Sequence, residues 1–336
     1  MLIVAGMWIN RAVRAVLWAC VLVAPAGIAA EDVPAPAPEP LYASPTKVDR
    51  VGRILAAVEI NGQGPFRFIL DTGANSSALA PHLAQALALP MAEEGVLGVH
   101  GVTGSAMLPA VRLASLRVGN IELREVTLPV LTDAVLAGAD GILGVEGLQG
   151  ARVEVDFTRD RVEISASSGR RAPSGFLTVP ARLEKDGLLM VDGRVGRIRV
   201  KVVIDTGAER TLGNLALRSA IEHRVDRREH TTTTVVGVTP EVLTATSFVA
   251  PTIALGKARL RNLPVAFDDL PVFELWGLAD EPALLVGMDL LGTLQQFVVD
   301  YPRREFQLRT RPSQMKPGFR RCAPYECATR IPTDGS

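Results

Sequence analysis

The chain has 336 residues, 48% of them apolar, and its 36 basic and 36 acidic side chains leave no formal net charge. That length and apolar content suit about two ordinary domains, each able to bury a core. The balanced charge argues against nucleic acid or another polyanion as partner, because such binding rests on an excess of Lys and Arg.

Residues 1–30 read as an export signal: Arg11 and Arg14 precede an apolar stretch over 15–24, and the segment closes on the small residues Ala29-Ala30. The apolar stretch is short for a bilayer span, so the protein is expected to be exported, periplasmic or secreted, with no stable membrane insertion once the signal is cleaved. The alternative is an uncleaved N-terminal anchor. Translation starts at Met1 or at Met7. Residues 31–50 are rich in Ala and Pro, which form neither a helix nor the centre of a sheet, and read as an extended spacer.

The first lobe is expected over 51–168. Alternation over 54–60, a turn at Asn61-Gly62-Gln63-Gly64 and an apolar run over 66–70 make a hairpin that ends abruptly in Asp71-Thr72-Gly73-Ala74-Asn75-Ser76-Ser77. A helix follows over 80–89, with Pro81 in its first turn. Residues 96–108 read as a glycine-bearing hairpin around Gly101-Val102-Thr103, suited to a mobile cover. Asp140-Gly141-Ile142-Leu143-Gly144 and a closing strand with Val155-Asp156-Phe157 complete the half. Residues 169–175 are small and polar and mark a linker.

The second lobe, 176–310, repeats these landmarks in order. An apolar run ends in Asp205-Thr206-Gly207-Ala208-Glu209-Arg210-Thr211, 134 residues after the first aspartate. A helix over 214–223, then Gly237-Val238-Thr239, Leu285-Val286-Gly287 and Val299-Asp300-Tyr301 follow. One Asp-Thr-Gly is expected by chance on the order of 0.1 times in a chain this long, so a single copy says little. Two copies behind matching strands, at a period this long, indicate a duplicated domain.

The tail, 311–336, holds Cys322 and Cys327, the two cysteines that remain after the signal is removed. In an oxidising compartment a local disulfide between them is expected. His82, His100, His223 and His230 show no metal-binding spacing and read as surface or cap residues. There is no Gly-x-Ser-x-Gly elbow and no phosphate-binding loop.

The constellation resembles the retropepsin-like aspartic proteases, most closely the bacterial aspartyl protease branch with a helix after the catalytic loop, over roughly residues 50–310. The resemblance implies a mainly β fold: two tandem lobes forming an intramolecular pseudo-dimer, each with a short helix after its catalytic loop. Asp71 and Asp205 would be catalytic. Thr72, Gly73, Thr206, Gly207, Ser77 and Thr211 would lock the loops, with residues 142–144 and 285–287 packed beneath them. Gly101, Val102, Thr103, Gly237, Val238 and Thr239 would form flaps over a polypeptide substrate. The expected activity is endopeptidase hydrolysis in a monomer without metal or cofactor. A peptide-binding module that keeps the cleft without cutting is the alternative. Asn75 and Glu209 differ between the halves, and no tyrosine lies near either flap.

Overall fold

The computed structural model describes residues 40–45, 47–48, 52–119, 121–184, 187–225 and 230–311. The expected export signal, the cysteine pair and nearly all of the tail lie outside the described residues. Among those described, the protein is mainly β, with five short helices and no helix long and apolar enough to cross a membrane.

Each half is built around the strand that delivers its aspartate. Gln63–Leu70 pairs antiparallel with Ile54–Ile60, and its burial rises along its length until Phe68, Ile69 and Leu70 are fully buried. The chain thus dives into the core just before Asp71. Ile198–Ile204, paired with Leu189–Val195, does the same for Asp205. A short buried strand lies parallel beside each: Gly141–Leu143 along Gln63–Leu70, and Ala283–Val286 along Ile198–Ile204. Such strands are covered on both faces, which explains their unbroken apolar composition.

Helices Pro81–Ala86 and Leu215–Ile221 follow the two loops as expected, both shorter than the sequence suggests. The first stops early because Ala88 turns into the left-handed region, at φ 46°. Further short helices, Asp133–Leu136, Pro271–Leu275 and Met288–Leu291, correct the expectation of one helix in each half. Pro271 has the same first-turn role as Pro81.

The two closing strands, recognised in sequence as a repeated landmark, pair with one another. Ala151–Asp156 runs antiparallel to Leu294–Asp300, with Val153 opposite Val299 and Val155 opposite Phe297. Arg161–Ala166 flanks the first and Glu305–Thr310 the second. Outside these lie Pro40–Pro45 and Leu177–Leu183, one from each half. The result is a six-strand run, three strands from each half in mirrored order, joining the halves over a core that includes Val153, Val155, Phe297, Val299, Phe306 and Leu308.

One expected boundary shifts in this structure. Residues 40–45 and 47–48 are strands, so the first half begins inside the expected spacer. Pro40 and Pro45 end an edge strand, where a missing N–H is tolerated. The linker is also fastened: Arg303 donates to Gly169 O, Arg309 donates to Ser174 O at 3.0 Å, and the Arg309 guanidinium lies over the Phe176 ring.

Candidate active site

Asp71 and Asp205 leave their strands at the same level because the buried parallel strand beside each one holds its backbone. Asp71 N–H donates to Leu143 O and Asp205 N–H to Val286 O, both at 3.0 Å. Each loop then turns back on its own carboxylate. Gly73 N–H donates to Asp71 Oδ1 at 2.8 Å; Gly207 and Ala208 N–H groups donate to Asp205 Oδ1 at 2.8 and 3.0 Å.

The threonines tie the loops together reciprocally. Thr72 N–H donates to Thr206 Oγ1 and Thr206 N–H to Thr72 Oγ1, both at 3.1 Å. Thr72 Oγ1 donates to Ile204 O at 2.8 Å, and Thr206 Oγ1 donates to Leu70 O at 2.6 Å. Both side chains are fully buried. Serine could supply the same hydrogen bonds, but the threonine methyl adds apolar contact and restricts χ1. Two buried groups, a backbone N–H and a carbonyl of the opposite half, would lose partners if either hydroxyl were removed, and each orphan costs about 1–3 kcal/mol.

This lock brings each glycine against the opposite aspartate. A Cβ at Gly73 would stand 2.5 Å from Asp205 Oδ2, and one at Gly207 would stand 2.5 Å from Asp71 Oδ1. No side chain fits at either position, so the glycine of each motif is required by the carboxylate of the other. Asp205 is 7% exposed and Asp71 is half-buried. Burial pushes both carboxyls above the ordinary carboxylate value, Asp205 furthest because the adjacent Asp71 charge adds to it. Two carboxyls placed this way do not both ionise easily, and their titration belongs to the pair.

Beneath the loops, Ser77 and Thr211 occupy equivalent places. Ser77 Oγ accepts from Gly144 N–H at 3.0 Å and Thr211 Oγ1 from Gly287 N–H at 3.2 Å. Both hydroxyls are buried. Behind them stand two carboxylates that sequence reasoning did not assign to the site. Glu146 Oε1 accepts from Ser77 N–H at 2.7 Å; Asp289 accepts from Thr211 N–H at 3.0 Å and from its hydroxyl at 2.6 Å. The signal was present: Gly144-Val145-Glu146 answers Gly287-Met288-Asp289 in the repeat. The other recurring carboxylates serve as turn formers: Asp156 accepts from Thr158 and Arg159 N–H, and Asp300 from Arg303 N–H.

A further unassigned residue, Tyr301, breaks the symmetry of the halves, because Phe157 stands at the matching position. Tyr301 is 1% exposed, and among the described residues its hydroxyl has no hydrogen-bond partner. Burial first, and then the charge of Asp71, push its phenol up.

The flap residues also meet. Met91–Gly101 and Gly104–Val118 form the first hairpin, longer than the expected 96–108, and Thr231–Val236 with Val242–Val249 forms the second. Their tips touch: Thr103 and Thr239 hydroxyls are 2.9 Å apart, and each residue is at most 3% exposed. A Cβ at Gly101 would lie 2.8 Å from Val238 Cγ2, and one at Gly237 3.0 Å from Val102 Cγ2. Val102 crosses onto an apolar cluster of the second half that includes Val203, Leu212, Val235 and Phe273.

Among the described residues no cluster of three or more His, Cys, Asp or Glu has the arrangement of a metal site. A family model described as aspartyl protease matches residues 56–146 and 190–290, one region in each half and together more than half of the chain. Compared with curated proteins individually, the chain matches none. Both matched regions carry an Asp-Thr-Gly loop of the geometry described above, and the chain belongs to the aspartyl protease family.

Proposed function

We propose that the protein is an aspartic endopeptidase in which one chain supplies both catalytic aspartates, Asp71 and Asp205. The observation that carries this reading is the crossed placement of the loops, each glycine pressed against the other half's carboxylate, with both carboxyls raised by burial. A water held between the two would lose a proton to the ionised carboxylate as its oxygen attacks the scissile carbonyl. The protonated carboxyl gives its proton to the carbonyl oxygen, forming a gem-diol. Collapse of that intermediate returns a proton to the leaving nitrogen, breaks the C–N bond and restores the singly protonated pair. Because the titration belongs to the pair, base and acid are roles of the dyad and not of fixed residues.

The loop-locking threonines and the paired flap tips support this chemistry by fixing the carboxylates and excluding bulk water around an extended polypeptide. The N-terminal sequence supports export, with hydrolysis outside the cytoplasm. Incubation with an unbiased peptide library from acid to neutral pH, read by mass spectrometry with and without a pepstatin-type inhibitor, tests the reading. Inhibitor-sensitive internal cleavage is expected. Binding of peptides without cleavage at any pH would replace the enzyme with a peptide-binding module.

A further inference from the structure

His82 stands on helix Pro81–Ala86 and touches two carboxylates at once. Its Nδ1 lies 3.0 Å from Asp133 Oδ1 and its Nε2 lies 3.1 Å from Asp140 Oδ1. Neutral imidazole has one N–H, and its second nitrogen would turn a lone pair towards a carboxylate. Both contacts are hydrogen bonds only when both nitrogens carry protons.

Asp140 is the junction on which the Asp71 loop rests. Its Oδ2 accepts from Arg67 N–H at 2.7 Å, its own N–H donates to Arg67 O at 2.8 Å, and its carbonyl accepts from Ala80 N–H at 2.9 Å. The next three residues form the strand Gly141–Leu143, whose last carbonyl accepts the Asp71 N–H. The second half makes the same junction differently. Asn214, at the place of Ala80 in the repeat, donates from Nδ2 to Leu278 O and Glu281 O, both at 2.7 Å. Its Oδ1 accepts from Leu217 N–H at 2.9 Å and from Ala283 N–H at 3.1 Å. Ala283 begins the strand that ends in Val286, the acceptor of Asp205 N–H. Asn214 is 3% exposed and has no charge to lose. His82 has no counterpart there, because Ala216 stands at its position.

We propose that doubly protonated His82 is a positioning residue for Asp71, so that the first half of the dyad is held by a proton where the second half is held by an amide. The proposal rests on the reading of Asp71 and Asp205 as the working pair. Charged groups around the ring are Asp133 and Asp140, with Arg67 on the far side of Asp140 at 3.7 Å and Arg53 bonded to Val135 O of the Asp133 helix. Hydrogen bonds to Asp133 and then Asp140 lift the imidazole above its ordinary value of 6.5. A raised folded value means that the clamp is fully present below 6.5 and is lost as pH rises through the raised value. The Asp71 loop is therefore firm in acid, where the dyad also keeps its proton, and loosens on the alkaline side.

The test uses the whole protein and does not depend on turnover. NMR titration of the His82 ring is combined with amide exchange at residues 71 and 142–144, against residues 205 and 285–287, at about pH 5.5 and about pH 8.5, each rate corrected for intrinsic exchange. The ring is expected to titrate above 6.5, and to move down in Asp133→Asn, which removes an exposed partner. Protection of the first segment should fall roughly tenfold relative to the second as pH rises, the scale of one charge-assisted hydrogen bond at a half-exposed site. His82→Gln should show the lower protection at both pH values. A ring that titrates at or below 6.5, or a first segment whose protection follows the second and ignores His82→Gln, would overturn the proposal. Failure of peptide cleavage with the switch intact would instead overturn the assignment of the dyad.

Discussion

Asp205 shows how strongly the site opposes the ordinary behaviour of its own residues. A carboxyl raised by burial binds its proton in the folded state while the unfolded chain has released it, so folding takes up a proton. Stability is then full below the unfolded value of about 3.8 and falls as pH climbs towards the raised one, by up to about 1.4 kcal/mol per pH unit while one proton is retained. In Asp205→Asn this contribution is gone and only that of the buried Asp71 remains, so the slope should become shallower. Thermal unfolding followed from about pH 4 to pH 7.5 should find the variant more heat-resistant than the parent at neutrality, with the gap closing in acid. Parallel curves would mean that the pair shares no proton. At this scale the sequence was legible where the repeat printed it twice: Asp, Thr and Gly, with Ser77 and Thr211, all occupy the expected loops. The repeat marked Glu146 and Asp289, in Gly144-Val145-Glu146 and Gly287-Met288-Asp289, but not what they hold, and Tyr301 was not legible as part of the site. Glu146 and Asp289 act on backbone N–H groups 69 and 78 residues away, and Tyr301 feels the charge of Asp71 from the other half, none of which a local pattern specifies.

The flaps and the edge strand place the next claims at the level of elements. Thr103 and Thr239 share one hydrogen bond in a buried contact. Replacing one by Val strands the other hydroxyl at about 1–3 kcal/mol, while replacing both leaves an apolar pair of similar shape. Thr103→Val and Thr239→Val should each raise KM and lower Tm, and the double variant should be better than the sum of the two, with a coupling of about 0.5–3 kcal/mol. Strict additivity would mean that the tips are not paired in solution. Pro40–Pro45 covers the edge of Arg161–Ala166. Deleting residues 40–48 should expose that edge, lower Tm by several degrees and promote association, measured by scattering on heating. An unchanged Tm would return the segment to the role of spacer. The strand was hidden in the sequence because proline reads as a breaker, and only its position at an edge makes it acceptable. The flaps were legible as hairpins, but that their tips bury one another depends on how the two halves face, which no hairpin pattern specifies.

For the whole molecule, the sequence conveyed duplication, mainly β structure and the two loops, because each rests on a repeated local pattern. The way the halves join was less visible: the closing strands were recognised, yet their pairing in Ala151–Asp156 and Leu294–Asp300 depends on register between segments far apart. That pairing and the crossed threonine bonds support one dyad within one chain, with the halves differing at His82, Asn214 and Tyr301. The most direct measurement is turnover of one cleaved peptide by Asp71→Asn, by Asp205→Asn and by the two mixed in equal amounts. Each single variant should lose nearly all kcat with native circular dichroism, the double variant should be little worse, and mixing should restore nothing, as expected for residues acting as a unit. Substantial activity in either single variant, or recovery on mixing, would contradict the intramolecular dyad.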